Sequence, residues 1–237
     1  MHSTFRLLAL ASGVALALSL SACGGGGSDG TPTPTPTPTD ASVCFPTYKQ
    51  AGKSITSTFD AYSVPDASGK QTKYTDTERF SYAKGTFNGV SGIVQIEVDD
   101  KGLPLHYSDF FRIDSANKVI TALGFKYSGS PSYTCNIVGV AEHRYNLLPG
   151  QSYTSNFSFD CTDPKQNETF KQTATFAGFE KITVPAGTFD ACKLDLVEIE
   201  GGQTDKFTVW FRQGDGVELR TDLNGTKDKE LVSVTIK

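Results

Sequence analysis

The feature that most constrains this chain is a period of two. From about residue 40 to residue 237, apolar and polar residues alternate in one run after another, and hardly any stretch has the spacing of a helix. Phe207, Val209 and Phe211 fall on one side of a strand whose other side carries Lys206, Thr208 and Arg212. Val217, Leu219 and Leu223 oppose Glu218, Arg220 and Asp222; Val94, Ile96 and Val98 oppose Gln95 and Glu97. In 168–184, Phe170, Phe176, Ile182 and Val184 share a parity opposite to Lys171, Thr173, Thr175 and Lys181. Strands with one apolar and one polar face belong to antiparallel sheets, which bury one side.

Turn chemistry joins these runs into hairpins. Asn224-Gly225 fits a two-residue turn with positive φ at both positions, and Asp99-Asp-Lys-Gly102, Asp114-Ser-Ala-Asn117, Pro185-Ala-Gly-Thr188 and Gly201-Gly202 have the residues tight connections need. The count comes to roughly eleven strands. The longest irregular stretch is expected at 128–151, around Pro131, Cys135 and Leu147-Leu148-Pro149-Gly150. A sheet of this size has to curl or close to protect its edges. The expected fold is therefore all-β: a single antiparallel meander, curved into a half-barrel or barrel, occupying residues 41–237.

The residues before that domain have a different chemistry. Arg6 precedes an apolar run, 7–20, that is shorter than the about 20 residues a spanning helix needs and ends in small residues. Residues 1–22 therefore read as an export signal to be removed. Leu20-Ser21-Ala22-Cys23 resembles the bacterial lipoprotein processing site, in which the cysteine thiol receives a diacylglyceryl group and the new amine is acylated, for example with palmitate. The resemblance makes Cys23 the lipidated residue, with the membrane as partner through that anchor. Several acyl chains on one residue make attachment effectively permanent without a span. By resemblance to Gram-negative sorting, Gly24 in place of Asp implies the outer membrane. Residues 24–39, glycine-rich and then alternating Thr-Pro, have no apolar surface to bury and form a spacer within the 23–40 linker, its Pro-rich part extended at about 3.1 Å per residue.

With Cys23 assigned to lipid, four of the five cysteines remain: Cys44, Cys135, Cys161 and Cys192. In an oxidising compartment an even number reads as two disulfides. In a meander whose 152–161 strand pairs with 169–184, and that strand with 189–200, Cys192 falls beside about Lys181 and Cys161 beside about Thr169, too far apart to bridge. This disfavours Cys161 with Cys192, and so Cys44 with Cys135. Two schemes remain open, and both join Cys44 to the later sheet.

Removing Arg6 with the signal segment takes the net charge from −4 to −5. So mild an acidic balance excludes a nucleic-acid footprint and argues against binding an anionic membrane surface through charge, which leaves that work to the anchor.

The stretch 179–194, containing Val184-Pro-Ala-Gly-Thr-Phe189, followed by Val209-Trp-Phe and Gly214-Asp-Gly216, resembles a pattern that recurs in bacterial periplasmic and lipoprotein domains of unassigned role. The resemblance covers about residues 169–223 and implies a hairpin scaffold, not an activity. It departs from the family's aromatic-x-Ala-Pro-Gly-x-Gly turn at Arg212-Gln213-Gly214-Asp215-Gly216.

Catalytic patterns are lacking: no G-x-S-x-G elbow, phosphate loop, H-E-x-x-H or dinucleotide fingerprint occurs, and Gly89-Val-Ser-Gly92 has the wrong spacing for an elbow. His106 lies on the polar side of 103–113 and His143 in the irregular stretch; both read as surface or loop histidines. Asp160, Asp163, Asn167 and Glu168 gather oxygen ligands around one hairpin and form a weak calcium candidate. No cofactor is called for. Tyr74, Phe80, Tyr82, Phe110, Phe111, Tyr127, Tyr133, Tyr145, Tyr153 and Trp210 could line a groove, Trp210 standing out on the face opposite Val209. Three readings follow: a non-enzymatic envelope lipoprotein binding a protein or glycan, a carrier holding acyl chains in a half-barrel cavity, and a hydrolase with dispersed carboxylates. A closed and filled core removes the second.

Overall fold

A computed structural model describes residues 38–237; the signal segment, the Leu20 to Cys23 processing site and most of the linker lie outside the described residues. The described chain forms thirteen strands, not roughly eleven: β1 Ser54–Tyr62, β2 Lys73–Phe87, β3 Val90–Val98, β4 Pro104–Asp114, β5 Val119–Tyr127, β6 Tyr133–Val140, β7 Glu142–Arg144, β8 Ser152–Cys161, β9 Thr169–Val184, β10 Gly187–Glu200, β11 Gln203–Arg212, β12 Glu218–Leu223 and β13 Thr226–Ile236. Two of them lie in the stretch expected to be irregular. There, Ile137-Val138-Gly139-Val140 is apolar on both faces, with Val138 54% and Val140 49% exposed, so the alternation that marks other strands is lost.

β1 pairs with β13 and β4 pairs with β5, so the meander closes on itself. β7 stands outside the ring, beside β5 where β6 has departed, which leaves a barrel of twelve strands. Closure removes every long sheet edge. Because the connectivity is antiparallel throughout, the loops alternate between two ends. The start of β1 lies at one end with the turns β2–β3, β4–β5, β9–β10 and β11–β12; we call this the tether end. The loops β1–β2, β3–β4, β5–β6, β8–β9, β10–β11 and β12–β13 form the distal end.

Twelve strands enclose more space than wall side chains fill. The segment 41–50 occupies it as a plug. Asp40 caps the short 3-10 turn Ala41–Cys44 through the Ser42 amide. Ala41, Cys44, Phe45, Tyr48 and Lys49 are then at most 4% exposed. The plug touches opposite walls. Cys44 is bridged to Cys192 of β10, and Gly214 donates to the Val43 carbonyl. Across the ring, Tyr48 packs edge-on against Tyr82 of β2, and Lys49 reaches Gln95 of β3, six strands from β10. Gly216, at φ +76°, leaves room for the plug, since a Cβ there would stand 2.5 Å from the Cys44 carbonyl oxygen.

The disulfides are Cys44 with Cys192 and Cys135 with Cys161, one of the two schemes left open; the second pair faces directly across β6 and β8. Cys192 opposes Phe179, two residues from the expected Lys181, because Pro185-Ala186 is a two-residue turn closed by Val184 and Gly187. Thr169 opposes Ser158 rather than Cys161, whose amide instead donates to Asn167 Oδ1. The Asn224-Gly225 turn has φ of 51° and 81°, as its sequence demands.

Two register shifts alter the face pattern. The shift at Lys193/Leu194 of the β9–β10 hairpin sends Phe176 and Ile182, which have one parity, into different clusters. Another at Trp210/Phe211 lets Glu218, expected on a wet face, sink to 1% exposure. Trp210 is covered too: it packs with Ile182, Ala191, Val217 and Leu219, and its indole N–H donates to Glu180 Oε1.

Candidate functional site

The distal end carries the most accessible ordered chemistry. Tyr107 of β4 opposes Tyr127 of β5, which opposes Tyr133 of β6. Their rings form a ladder, with centroids 4.9 Å and 5.1 Å apart. By strand alternation these side chains share the face of the buried Phe125 and Cys135, two residues nearer the mouth, and all three are half-buried. The His106 ring lies 5.5 Å from Tyr127. Burial and a hydrogen bond with Tyr107 push the Tyr133 hydroxyl well above its usual range, so it stays protonated and able to donate. Three neighbouring antiparallel strands thus present a row of flat apolar faces edged with hydroxyls. Tyr127 and Tyr133 belong to the aromatic set visible in sequence; Tyr107 does not, because only cross-strand register reveals it.

Glu168 stands at the same end, in the β8–β9 loop. Burial, and then a hydrogen bond and charge from Glu200, raise its carboxyl to about 7. The two carboxyls touch rather than face each other across a gap, whereas glycoside hydrolysis needs about 5 Å or more between them. The calcium candidate does not assemble. Asp163 accepts from the Lys165 amide, Asn167 from the Cys161 amide, Glu168 pairs with Glu200, and Asp160 points outward on β8. Among the described residues, no group of three or more His, Cys, Asp and Glu is placed to hold a metal.

Two ionisable clusters lie inside the barrel. Lys49 Nζ donates to Gln95 Oε1 at 3.4 Å and lies 5.0 Å from the centre of the Phe111 ring. Burial lowers its pKa well below the usual range, and Asp109 partly restores it. Asp109, across from Gln95, is raised to about 6 by burial against the pull of Lys49. His143 corrects the surface assignment: it lies on β7 opposite the buried Ile120, and burial together with the Lys49 charge lowers it to about 4. In the second cluster Lys229 Nζ bridges Glu78 Oε1 at 3.0 Å and Glu218 Oε1 at 3.2 Å, all three side chains being at most 9% exposed. Neither cluster contains a nucleophile beside a base. The first joins the plug to the wall, and the second joins β2, β12 and β13 of the wall.

No protein-family model matches the chain, and no curated protein matches it in sequence. Among solved structures, a chain described as a lipoprotein from Parabacteroides distasonis is similar with a TM-score of 0.43 and 14% identity, over 83% of this chain and 99% of its own. An exported protein of Bacteroides fragilis with a YmcC-like fold gives 0.42 and 15%, over 81% and 98%. Similarity at this level transfers no role.

Proposed function

We propose that this chain is a lipid-anchored envelope protein, tethered through Cys23 to the outer membrane, whose barrel is a non-enzymatic binding module with its distal mouth turned away from the bilayer. The observation that carries the binding reading is the tyrosine ladder. Flat aromatic faces rimmed by hydroxyls suit a glycan, whose sugar rings offer apolar faces and polar edges. Around the same end, Val64, Tyr74, Leu103 and Leu105 are 79%, 47%, 60% and 40% exposed, which widens the apolar rim. The carrier reading loses its footing, since the barrel is closed and its interior holds the buried plug and two buried polar clusters. The hydrolase reading gains no support from Glu168 and Glu200, whose carboxyls are in contact.

The test is titration of envelope polysaccharide fragments into the mature chain, followed by tyrosine and tryptophan fluorescence. Tyr127→Ala is expected to abolish binding and Tyr127→Phe to retain most of it. Equal binding by wild type and Tyr127→Ala refutes the ladder as the site. Anchoring is tested separately by the mass of the N-terminal peptide from membranes: an unacylated Cys23 refutes it.

A further inference from the structure

We propose that the tether end of the barrel is an electrostatic docking face for an anionic membrane surface, recognising the phosphates of lipid headgroups in the leaflet that holds Cys23. The proposal rests on the anchored reading above. A net charge of −4 conceals a separation of charge along the barrel. The distal loops β1–β2 and β8–β9 carry Asp66, Asp163 and Glu168 against Lys70 and Lys165, while Asp99, Asp100 and Lys101 of the β3–β4 loop line a pocket shared with Ser54 and Lys237. At the tether end stand Lys53, Lys84, Arg112, Lys118 and Lys237, against Asp40 and Asp114. Asp40 accepts from the Ser42 amide and Asp114 from the Ala116 and Asn117 amides; both keep their charge, and Asp114 interacts with Arg112, so the cations there outnumber the carboxylates without being free of them. Lys181 is paired with Asp190, and Arg212 with Asp215.

The basic residues converge on a shape. Where the β2–β3 hairpin runs past the end of β1, an open cleft of about 860 Å³ is lined by Lys84, Arg112, Thr86, Ser91 and Ser115, with the buried Lys49 at its floor. Lys84 and Arg112 are exposed and make no ion pair among the described residues. Hydroxyl donors beside unpaired cations suit phosphate oxygens. Geometry supplies the surface. The plug begins at this end, so the linker leaves from it, and the 17 residues from Cys23 to Asp40 span at most about 60 Å. Tethering confines the cleft near the headgroups, where even a weak attraction holds it down.

The test uses the mature chain with Cys23→Ser, so that lipid cannot contribute, and vesicles of phosphatidylcholine with or without a third of phosphatidylglycerol. Binding is expected only to the anionic vesicles at about 0.01 M salt, and is expected to vanish near 1 M, where screening shortens to about 3 Å. Each cation near such a surface is worth about fivefold in partitioning, so Lys84→Gln with Arg112→Gln is expected to weaken binding about 25-fold. The distal pair Lys70→Gln with Lys165→Gln is expected to leave it unchanged. Thermal melts confirm that each exposed-site variant is folded. Equal binding to both vesicle types, equal binding by the cleft variant, or insensitivity to salt overturns the proposal. Displacement by millimolar inorganic phosphate at constant ionic strength also overturns it, in favour of a small-anion pocket. Because the assay lacks the anchor, failure here leaves the acylation of Cys23 untouched, and an unacylated Cys23 leaves the vesicle result standing.

Discussion

Asp109 and His143 titrate in the same pH window with opposite consequences for stability. Asp109 rises from 3.8 to about 6 on folding, so the folded chain holds a proton that the unfolded chain releases, and stability is lost as pH climbs between those values. His143 falls from 6.5 to about 4, so the unfolded chain holds the extra proton and stability is gained over the same climb. At about 1.36 kcal/mol per unit, each shift corresponds to roughly 3 kcal/mol, and partial solvent access reduces this to roughly 2 kcal/mol. The wild type is therefore expected to have a nearly flat profile from about pH 4 to 6, and single variants should unmask the slopes. His143→Gln is expected to lose roughly 2 kcal/mol as pH rises through this window, and Asp109→Asn to gain a similar amount. Urea unfolding followed by Trp210 fluorescence at closely spaced pH values measures both. Profiles for the two variants that run parallel to the wild type would refute the assignment of these groups to the plugged interior.

Three further outcomes follow from the plug. Lys49→Met should cost little at about pH 5, where Asp109 is protonated, and more once the pH passes about 6, where the Asp109 carboxylate loses the attraction of Lys49; equal costs on both sides of that pH, by the same unfolding assay, contradict this. Removing the bridge between Cys44 and Cys192, which closes 148 residues, should cost about 5 kcal/mol, against about 3.5 kcal/mol for Cys135 with Cys161, which closes 26. Calorimetry of the two double-alanine variants ranks them. Gly216→Ala meets the Cys44 carbonyl oxygen and adopts a φ of +76°, so it should destabilise by more than 1 kcal/mol and raise amide exchange in 41–50, whereas Gly225→Ala, in open space, should leave that exchange unchanged.

The barrel wall was largely legible because its two determinants are local. Alternation such as Phe207, Val209 and Phe211 against Lys206 and Thr208 specifies a strand and its faces, and Asn224-Gly225 or Pro185-Ala186 specifies where the chain returns. What was lost is non-local. Extra residues in the ladder flip parity beyond the Lys193/Leu194 shift, so that Ile182 leaves the face of Phe176, and a bulge opposite Trp210 buries Glu218; neither leaves a mark in composition. The tyrosine ladder needs the register of three strands before its members can be recognised as neighbours.

The plug was illegible for a different reason. Residues 41–50 have no period, one cysteine and a lysine, so they fall within the 41–237 domain with no local mark of where in it they pack. Their burial follows from closure: once twelve strands form a ring, the interior must be filled, and the nearest unpaired chain is the segment that enters β1. Lys49 is tolerated inside because it arrives opposite Gln95 and Asp109, on a wall whose inward positions are not uniformly apolar. The same segment continues outward into the Thr-Pro spacer, so any pull on the tether is delivered to the bridge between Cys44 and Cys192 and not to an edge strand. A strand at the tether's attachment point would be peeled one hydrogen bond at a time. A buried plug held by a covalent bond to the opposite wall has to move as a unit, so a pull along the linker meets the bridge between Cys44 and Cys192 before it reaches any strand.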